Sequence, residues 1–106
     1  MAQDIRGRPD PVLMALVDAL RPYEVEHPEA EITAYRQNSV SVRVRIVDPA
    51  FEGTPTNERE DAIWQYFAKL PDETQNDLTM LLLLTPDEAR QSYANMEFED
   101  PVESML

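Results

Sequence analysis

Residues 48 to 53 read Asp48-Pro49-Ala50-Phe51-Glu52-Gly53, and Arg59 follows them in the next segment. This stretch joins a segment with strand-like alternation to a segment with helix-like spacing of apolar residues. Proline removes a backbone donor and interrupts a strand, while Gly53 can adopt backbone torsions that other residues avoid. We therefore expect residues 48–53 to end a central strand and lead into a helix.

The segment before this turn is the clearest strand in the sequence. Side chains alternate between the two faces of a strand. The predicted core face carries Val40, Val42, Val44 and Ile46. The opposite, partly wet face carries Ser41, Arg43, Arg45 and Val47. A shorter strand is predicted over Glu31 to Arg36, with a turn at Gln37-Asn38-Ser39, so these two strands must be antiparallel.

Two helices are predicted from capping residues and apolar spacing. The first begins at Asp10-Pro11 and ends at Pro22, and residues 23–29 follow as a connecting loop. The second is capped by Thr54 or Thr56 and ends at Pro71. Its predicted apolar stripe consists of Ala62, Ile63, Tyr66, Phe67 and Leu70.

The C-terminal third holds one more strand and one more helix. A single polar helical turn over residues 72–76 leads into Leu78 to Leu84, which is predicted as a buried strand. Thr85-Pro86-Asp87-Glu88 has the pattern of a capping box, and its helix is expected to reach about Ala94. The following residues have no consistent period, so we expect a loosely held acidic tail or one that folds back over the sheet.

These elements predict an α+β domain. The order is helix, strand, strand, helix, short helix, strand, helix. A crossover of about thirty residues makes the last two strands parallel and gives a three-stranded mixed sheet with helices on one face. The predicted boundaries are an N-terminal extension over residues 1–10, a single domain over 11–95 and a tail over 96–106.

Charge and composition restrict the classes of partner. The net charge is −12, and residues 48–106 hold fourteen acids against three bases. Such a surface repels phosphates, so a protein partner is favoured over nucleic acid. The chain has no cysteine, its only long apolar run is far too short to span a bilayer, and no apolar signal segment begins it. We expect a soluble, cytoplasmic protein.

Few residues could support catalysis or bind a metal. The single histidine, His27, is interpreted as an exposed loop residue, and the serines have no histidine partner nearby in the sequence. The acids Asp72, Glu73 and Asp77 lack the glycine-turned spacing of a calcium loop, and solvated charge is the favoured interpretation. We predict no enzyme activity, no catalytic residues and no cofactor.

Two surface features could bind a partner. Arg36, Arg43 and Arg45 are predicted to form a small basic stripe, which either pairs with local acids or docks an acidic partner, a phosphate or nucleic acid. The leucines of the last strand could make the open sheet face a contact surface, including one for a homodimer. Trp64 either contacts a partner or shields the core edge.

The element order, the turn at Phe51-Glu52-Gly53, Arg59 and the Thr85-Pro86 cap together resemble the BolA family over about residues 11–93. The resemblance implies the topology of type II KH domains, although the glycine-x-x-glycine loop of KH domains is absent. It also implies partnership with monothiol glutaredoxins in iron-sulfur cluster handling and, in some members, transcriptional regulation.

The family's cluster role requires a histidine at the start of the last strand. Counting back from Thr85 places Asp77 there, and Gln37, Asn38 and Ser39 occupy the loop that often holds a second ligand. A carboxylate is a poor iron-sulfur ligand, so cluster ligation is expected to be weak or lost. The prediction is a non-enzymatic interaction or regulatory module. Its candidate partner-binding residues are Phe51, Gly53, Arg59, Arg43, Arg45 and Trp64. A nucleic-acid-binding regulator that uses the basic stripe is the alternative.

Overall fold

The computed structural model describes residues 2–92 and Phe98. Nine regular helices and strands and one short 3-10 helix occur in this part of the chain. In chain order they are β1 (Ala2–Arg6), α1 (Pro11–Ala19), α2 (Arg21–Glu26), β2 (Glu31–Asn38), β3 (Ser41–Val47), the 3-10 helix (Pro49–Phe51), α3 (Thr56–Phe67), α4 (Asp72–Asp77), β4 (Leu78–Leu84) and α5 (Pro86–Gln91).

The strands form one mixed sheet in the order β1-β2-β3-β4. β2 and β3 are antiparallel, while β4 runs parallel to β3 as the crossover predicts. The predicted α+β class is confirmed, but the sheet has four strands rather than three. The additional strand is β1, which pairs in parallel with β2 and lies within the predicted extension. This five-residue segment is too short and too polar to be recognised as a strand by alternating apolar and polar side chains. Ile5 nevertheless packs against the core.

The predicted loop over residues 23–29 is wrong in its first half, because α2 occupies Arg21–Glu26. Pro22 does not end a helical region. It lies in the first turn of α2, where a residue without an amide hydrogen removes no helical hydrogen bond. The chain bends at Leu20, and α2 then buries Tyr23 against the core.

The helices cover one face of the sheet and enclose the core. Val42, Val44 and Ile46 have no exposed surface, as their alternation predicts. Val40 does not belong to this face: it lies in the turn before β3 and is 55% exposed. Burying this face supplies the main stabilisation, at roughly 25 cal/mol per Å² of apolar surface.

The apolar stripe of α3 differs from the prediction at two positions. Ile63 and Phe67 are buried, but Ala62 is exposed, and the third buried residue of the helix is Arg59. Neither threonine caps α3 with its side chain, since Pro55 occupies the N-cap position. The capping box of α5 is confirmed by hydrogen bonds in both directions between Thr85 and Glu88.

Phe98, the described residue of the tail, contacts the open face of the sheet. The last helix ends at Gln91, with Ser92 extended, and so stops before the predicted end near Ala94. Most of the tail lies outside the described residues. Phe98 is described and is fully buried, with its ring edge-to-face against Tyr35 at 5.2 Å. No helix within the described residues is long and apolar enough to cross a membrane.

Candidate interaction sites

The turn between β3 and α3 has the geometry predicted for it. Asp48 caps the 3-10 helix, because its Oδ1 accepts a hydrogen bond from the Ala50 amide at 2.9 Å. Gly53 has a φ of +80°, a backbone conformation that a side chain would strain. Phe51 turns inward and is only 5% exposed. Each of the three residue types therefore has its own role in this turn: Asp48 caps the 3-10 helix, Pro49 begins it, and Gly53 adopts the positive φ.

Arg59 links this turn to the last strand and the last helix. Its Nε donates to the Thr54 carbonyl oxygen at 2.7 Å, and its Nη1 donates to the Leu83 carbonyl oxygen at 3.0 Å. Both Nη atoms also bond to the carboxylate of Glu88, at 2.6 and 3.3 Å. The guanidinium lies over the Phe51 ring, 5.4 Å from its centroid. One side chain thus connects four separate segments.

The position of Arg59 bears on its predicted role in partner contact. Only 6% of the residue is exposed, so little of its side chain is available to a partner. The arginine holds the surface around Phe51 and Glu88 in place. Sequence spacing indicated the position but not this burial, because arginine is seldom expected among buried residues.

An aromatic groove of about 560 Å³ lies beside Arg59, between α2 and α3. Its lining residues are Tyr23, His27, Ala50, Phe51, Thr54, Glu58, Arg59, Ala62, Gln65 and Tyr66. Tyr23 stacks on His27 with ring centroids 4.1 Å apart, and it meets the Tyr66 ring edge-to-face at 5.6 Å. The rings come from three segments distant in sequence, so no local pattern predicts the groove.

A buried carboxylate lies behind the rings. Asp48 is 2% exposed, and its Oδ2 accepts a hydrogen bond from the Tyr23 hydroxyl at 2.5 Å. The Nδ1 of His27 lies 3.2 Å from the same oxygen. Burial and the neighbouring Asp48 raise the pKa of Tyr23 well above its ordinary value. His27 is therefore not the exposed loop residue that was predicted, since stacking and this contact leave its side chain 31% exposed.

Asp77, which the resemblance places at the family's cluster-ligand position, is held in an ion-pair network. The carboxylate of Asp77, at the end of α4, lies 3.1 Å from Nη2 of Arg36. Arg36 also bonds to both carboxylate oxygens of Asp10, the N-cap residue of α1, at 2.6 and 3.1 Å. The hydrogen bonds from Arg36 lower the pKa of Asp10. One arginine on β2 thereby joins the ends of two helices.

This network contradicts the predicted basic stripe. Arg36 pairs with Val42 across the strands and shares the core face of the sheet, whereas Arg43 pairs with Tyr35 and lies on the other face. On that open face Arg43 donates to the Tyr35 hydroxyl at 3.2 Å. Arg45 donates to the Thr33 hydroxyl at 2.7 Å and lies under the Phe98 ring. Since Arg45 is only 6% exposed, the three arginines do not form a common surface.

Two of the sequence-predicted contact features lie on β4 and α3. Met80, Leu82 and Leu84 lie on the open face of β4 and are half-buried. Trp64 is 36% exposed on α3 and contacts Phe67 edge-to-face at 5.4 Å. Within residues 2–92 and at Phe98, no three histidine or acidic side chains come together as a metal site.

Comparisons with known proteins identify the fold. No protein-family model and no curated protein sequence matches the chain. Among solved structures, BolA1 from Arabidopsis thaliana is similar with a TM-score of 0.51 and 19% sequence identity, over 76% of this chain and 98% of that chain. The BolA domain of SufE1 from Arabidopsis thaliana has a TM-score of 0.49 and 22% identity, over 76% and 99% of the two chains. The chain has a BolA-like fold.

Proposed function

We propose that this BolA-like domain is a non-enzymatic module that acts by binding another protein and has lost the ability to ligate an iron-sulfur cluster. The family resemblance makes a monothiol glutaredoxin the first partner to test. The absence of a three-residue metal site among the described residues is compatible with this role but does not carry it.

The observation that carries the proposal is the environment of Asp77. A cluster ligand in this position must present a soft donor to an iron atom. Asp77 offers a carboxylate, which is a hard donor, and this carboxylate is paired with Arg36. The guanidinium of Arg36 would also place a positive charge next to an incoming iron atom. Position 77 is thus occupied by a structural ion pair that joins α4 to β2.

Two surfaces support binding to a protein. The aromatic groove offers exposed parts of several rings beside fixed polar groups, which is the composition of many recognition sites. The half-buried Met80, Leu82 and Leu84 offer a second apolar area on the open face. Phe98 already covers the part of this face near Tyr35 and Arg45, so a homodimer through the open face would be confined to the β4 side.

The alternative of nucleic-acid binding through Arg36, Arg43 and Arg45 has no comparable support. Arg36 faces the helices and is paired with two acids. Arg45 is buried under Phe98. Phosphate binding requires accessible cations, and the chain as a whole carries a net charge of −12.

Cluster transfer from a monothiol glutaredoxin tests the loss of ligation. The chain is mixed with the cluster-loaded glutaredoxin, and visible absorption and circular dichroism are recorded before and after separation by gel filtration. We expect unchanged cluster spectra and a colourless chain. The Asp77→His variant, which restores an imidazole at this position, is the matched comparison. A stable complex of the parent chain with an altered cluster spectrum would overturn the proposal.

A further inference from the structure

The aromatic groove has two walls and a floor suited to a long, flat side chain. One wall is the outer part of the stacked Tyr23 and His27 rings, and the second is Tyr66, set at 85° to Tyr23. Ala62 also lines the groove, on α3 one turn before Tyr66, and its side chain is small. Tyr23 itself is 4% exposed and is covered by His27, so the partly exposed His27 and Tyr66 rings are the aromatic surfaces available to a cation.

The charges around the groove have one predominant sign. Glu58 lines the groove and is exposed, and Glu26 accepts a hydrogen bond from the Tyr66 hydroxyl at 3.5 Å. Asp48 lies behind the Tyr23 and His27 rings. The lining cation is Arg59, and its charge is compensated by the bonds from both Nη atoms to Glu88. A cation entering the groove therefore meets carboxylates and aromatic faces, whereas an anion would meet repulsion.

We infer that the aromatic groove binds an arginine side chain from a basic segment of a partner protein, an inference that rests on the proposed interaction role. The planar guanidinium stacks on the Tyr66 or His27 ring, and the exposed carboxylate of Glu58, two helical turns before Tyr66, attracts its charge. Lysine fits the same charge but lacks the flat stacking surface, so it binds more weakly. The acidic composition of residues 48–106 attracts the rest of the basic segment.

Peptide titration of the isotope-labelled full chain, followed by NMR, tests this assignment. Three short blocked peptides differ at one residue only, which is arginine, lysine or citrulline. Citrulline keeps the shape of arginine and removes its charge. We expect the arginine peptide to shift the amide signals of His27, Phe51 and Tyr66, and the citrulline peptide to bind at least about five-fold more weakly. Equal binding of arginine and citrulline, or shifts confined to other surfaces, would overturn the inference.

Substitutions in the groove separate local contact from general attraction. Glu58→Gln removes a carboxylate in the groove and should weaken the arginine peptide about three-fold. Glu73→Gln makes the same charge change on exposed α4 and should leave its affinity unchanged. Tyr66→Leu keeps apolar volume but removes the aromatic face, and it should weaken the arginine peptide and reduce its advantage over the lysine peptide. If Tyr66→Leu unfolds, the Glu58 and Glu73 pair still decides the question, because both side chains are exposed.

Failure of this inference can be distinguished from failure of the proposed function. A partner protein that binds the parent chain and Glu58→Gln equally well would keep the interaction role and place the contact outside the groove. Spectra that reveal cluster ligation by the parent chain would remove the proposed function whatever the peptides do.

Discussion

At the scale of single residues, Arg59 has the largest structural consequence, because it satisfies two backbone carbonyl groups and one carboxylate from three different segments. Arg59→Ala leaves the buried carbonyl oxygen of Leu83 without this donor. We expect the free energy of unfolding to fall by about 2–4 kcal/mol, with the Glu88 ion pair contributing little because Glu88 is half exposed. Urea denaturation measures the change.

Arg90 on α5 provides the matched control. It pairs with Asp87, but both side chains are exposed, so Arg90→Ala should change the unfolding free energy by no more than about 0.5 kcal/mol. Similar losses for the two variants would mean that Arg59 does not hold the turn to β4.

Single residues also differ in how far the sequence predicts their contacts. Gly53 was predicted to meet a backbone requirement, and its φ of +80° confirms this. The sequence could predict it because the backbone torsions open to glycine depend on the residue itself. The contacts of Tyr23, His27 and Asp48 join α2 to the end of β3, twenty-five residues away from Tyr23. Sequence spacing contains no direct signal for such a contact, and His27 was therefore assigned to an exposed loop.

At the scale of elements, ion pairs connect helices to strands and make stability depend on pH. Hydrogen bonds from Arg36 hold the pKa of Asp10 below its ordinary value of 3.8, and those from Arg59 hold the pKa of Glu88 below 4.5. A lowered pKa means that the folded state binds protons less readily than the unfolded state. The stabilisation is therefore present above these ordinary values and is lost as the pH falls below them.

Thermal or urea unfolding between pH 7 and pH 2.5 measures this dependence. Asp10→Asn keeps an acceptor for the α1 cap and removes the charge, so it should flatten the acid limb of the stability curve. Asp61→Asn, a change at an exposed acid of α3, is the control and should leave the acid limb as it is. A parent chain whose stability is constant down to pH 2.5 would contradict the role of these pairs.

β1 provides a second test at the scale of elements. Ile5 packs against the core, and the Gln3 side chain donates to the Val17 carbonyl oxygen at 3.1 Å, so the strand contributes to the domain. Ile5→Ala should lower the unfolding free energy by roughly 2 kcal/mol, the lower end for a large core residue because Ile5 is only partly buried. Amide exchange in Thr33 to Tyr35 should become faster. Unchanged exchange there would mean that β1 does not protect the edge of β2.

The elements differ in how well the sequence predicts them. β3 and β4 were predicted because alternation and a bounded apolar run are strong strand signals, and α5 because its capping box is local. β1 is short and polar, and its pairing with β2 depends on a partner distant in sequence. α2 was missed because Pro22 reads equally as the end of one helix or the first turn of the next.

At the scale of the whole molecule, the BolA-like fold presents two surfaces with different chemistry. The aromatic groove lies on the helix side and suits a cation, whereas the open face offers Met80, Leu82 and Leu84. Asp77, at the end of α4, is paired with Arg36. The arrangement of β2, β3 and β4 followed from the sequence pattern. The groove did not, because it requires α2, α3 and the turn at residues 49–51 to be assembled first.

The central claim is that the chain binds its partner through protein contacts alone. Its affinity for a monothiol glutaredoxin with and without the cluster tests this claim most directly. The dissociation constant of the chain for a monothiol glutaredoxin is measured by sedimentation velocity with the partner in its cluster-free and cluster-loaded forms. A ligand shared between two proteins strengthens their association by linkage. On the proposal that Asp77 does not ligate the cluster, we predict dissociation constants for the two forms that agree within about two-fold. Binding that requires the cluster, or that is more than about ten-fold tighter with it, would contradict a module that acts through protein contacts alone.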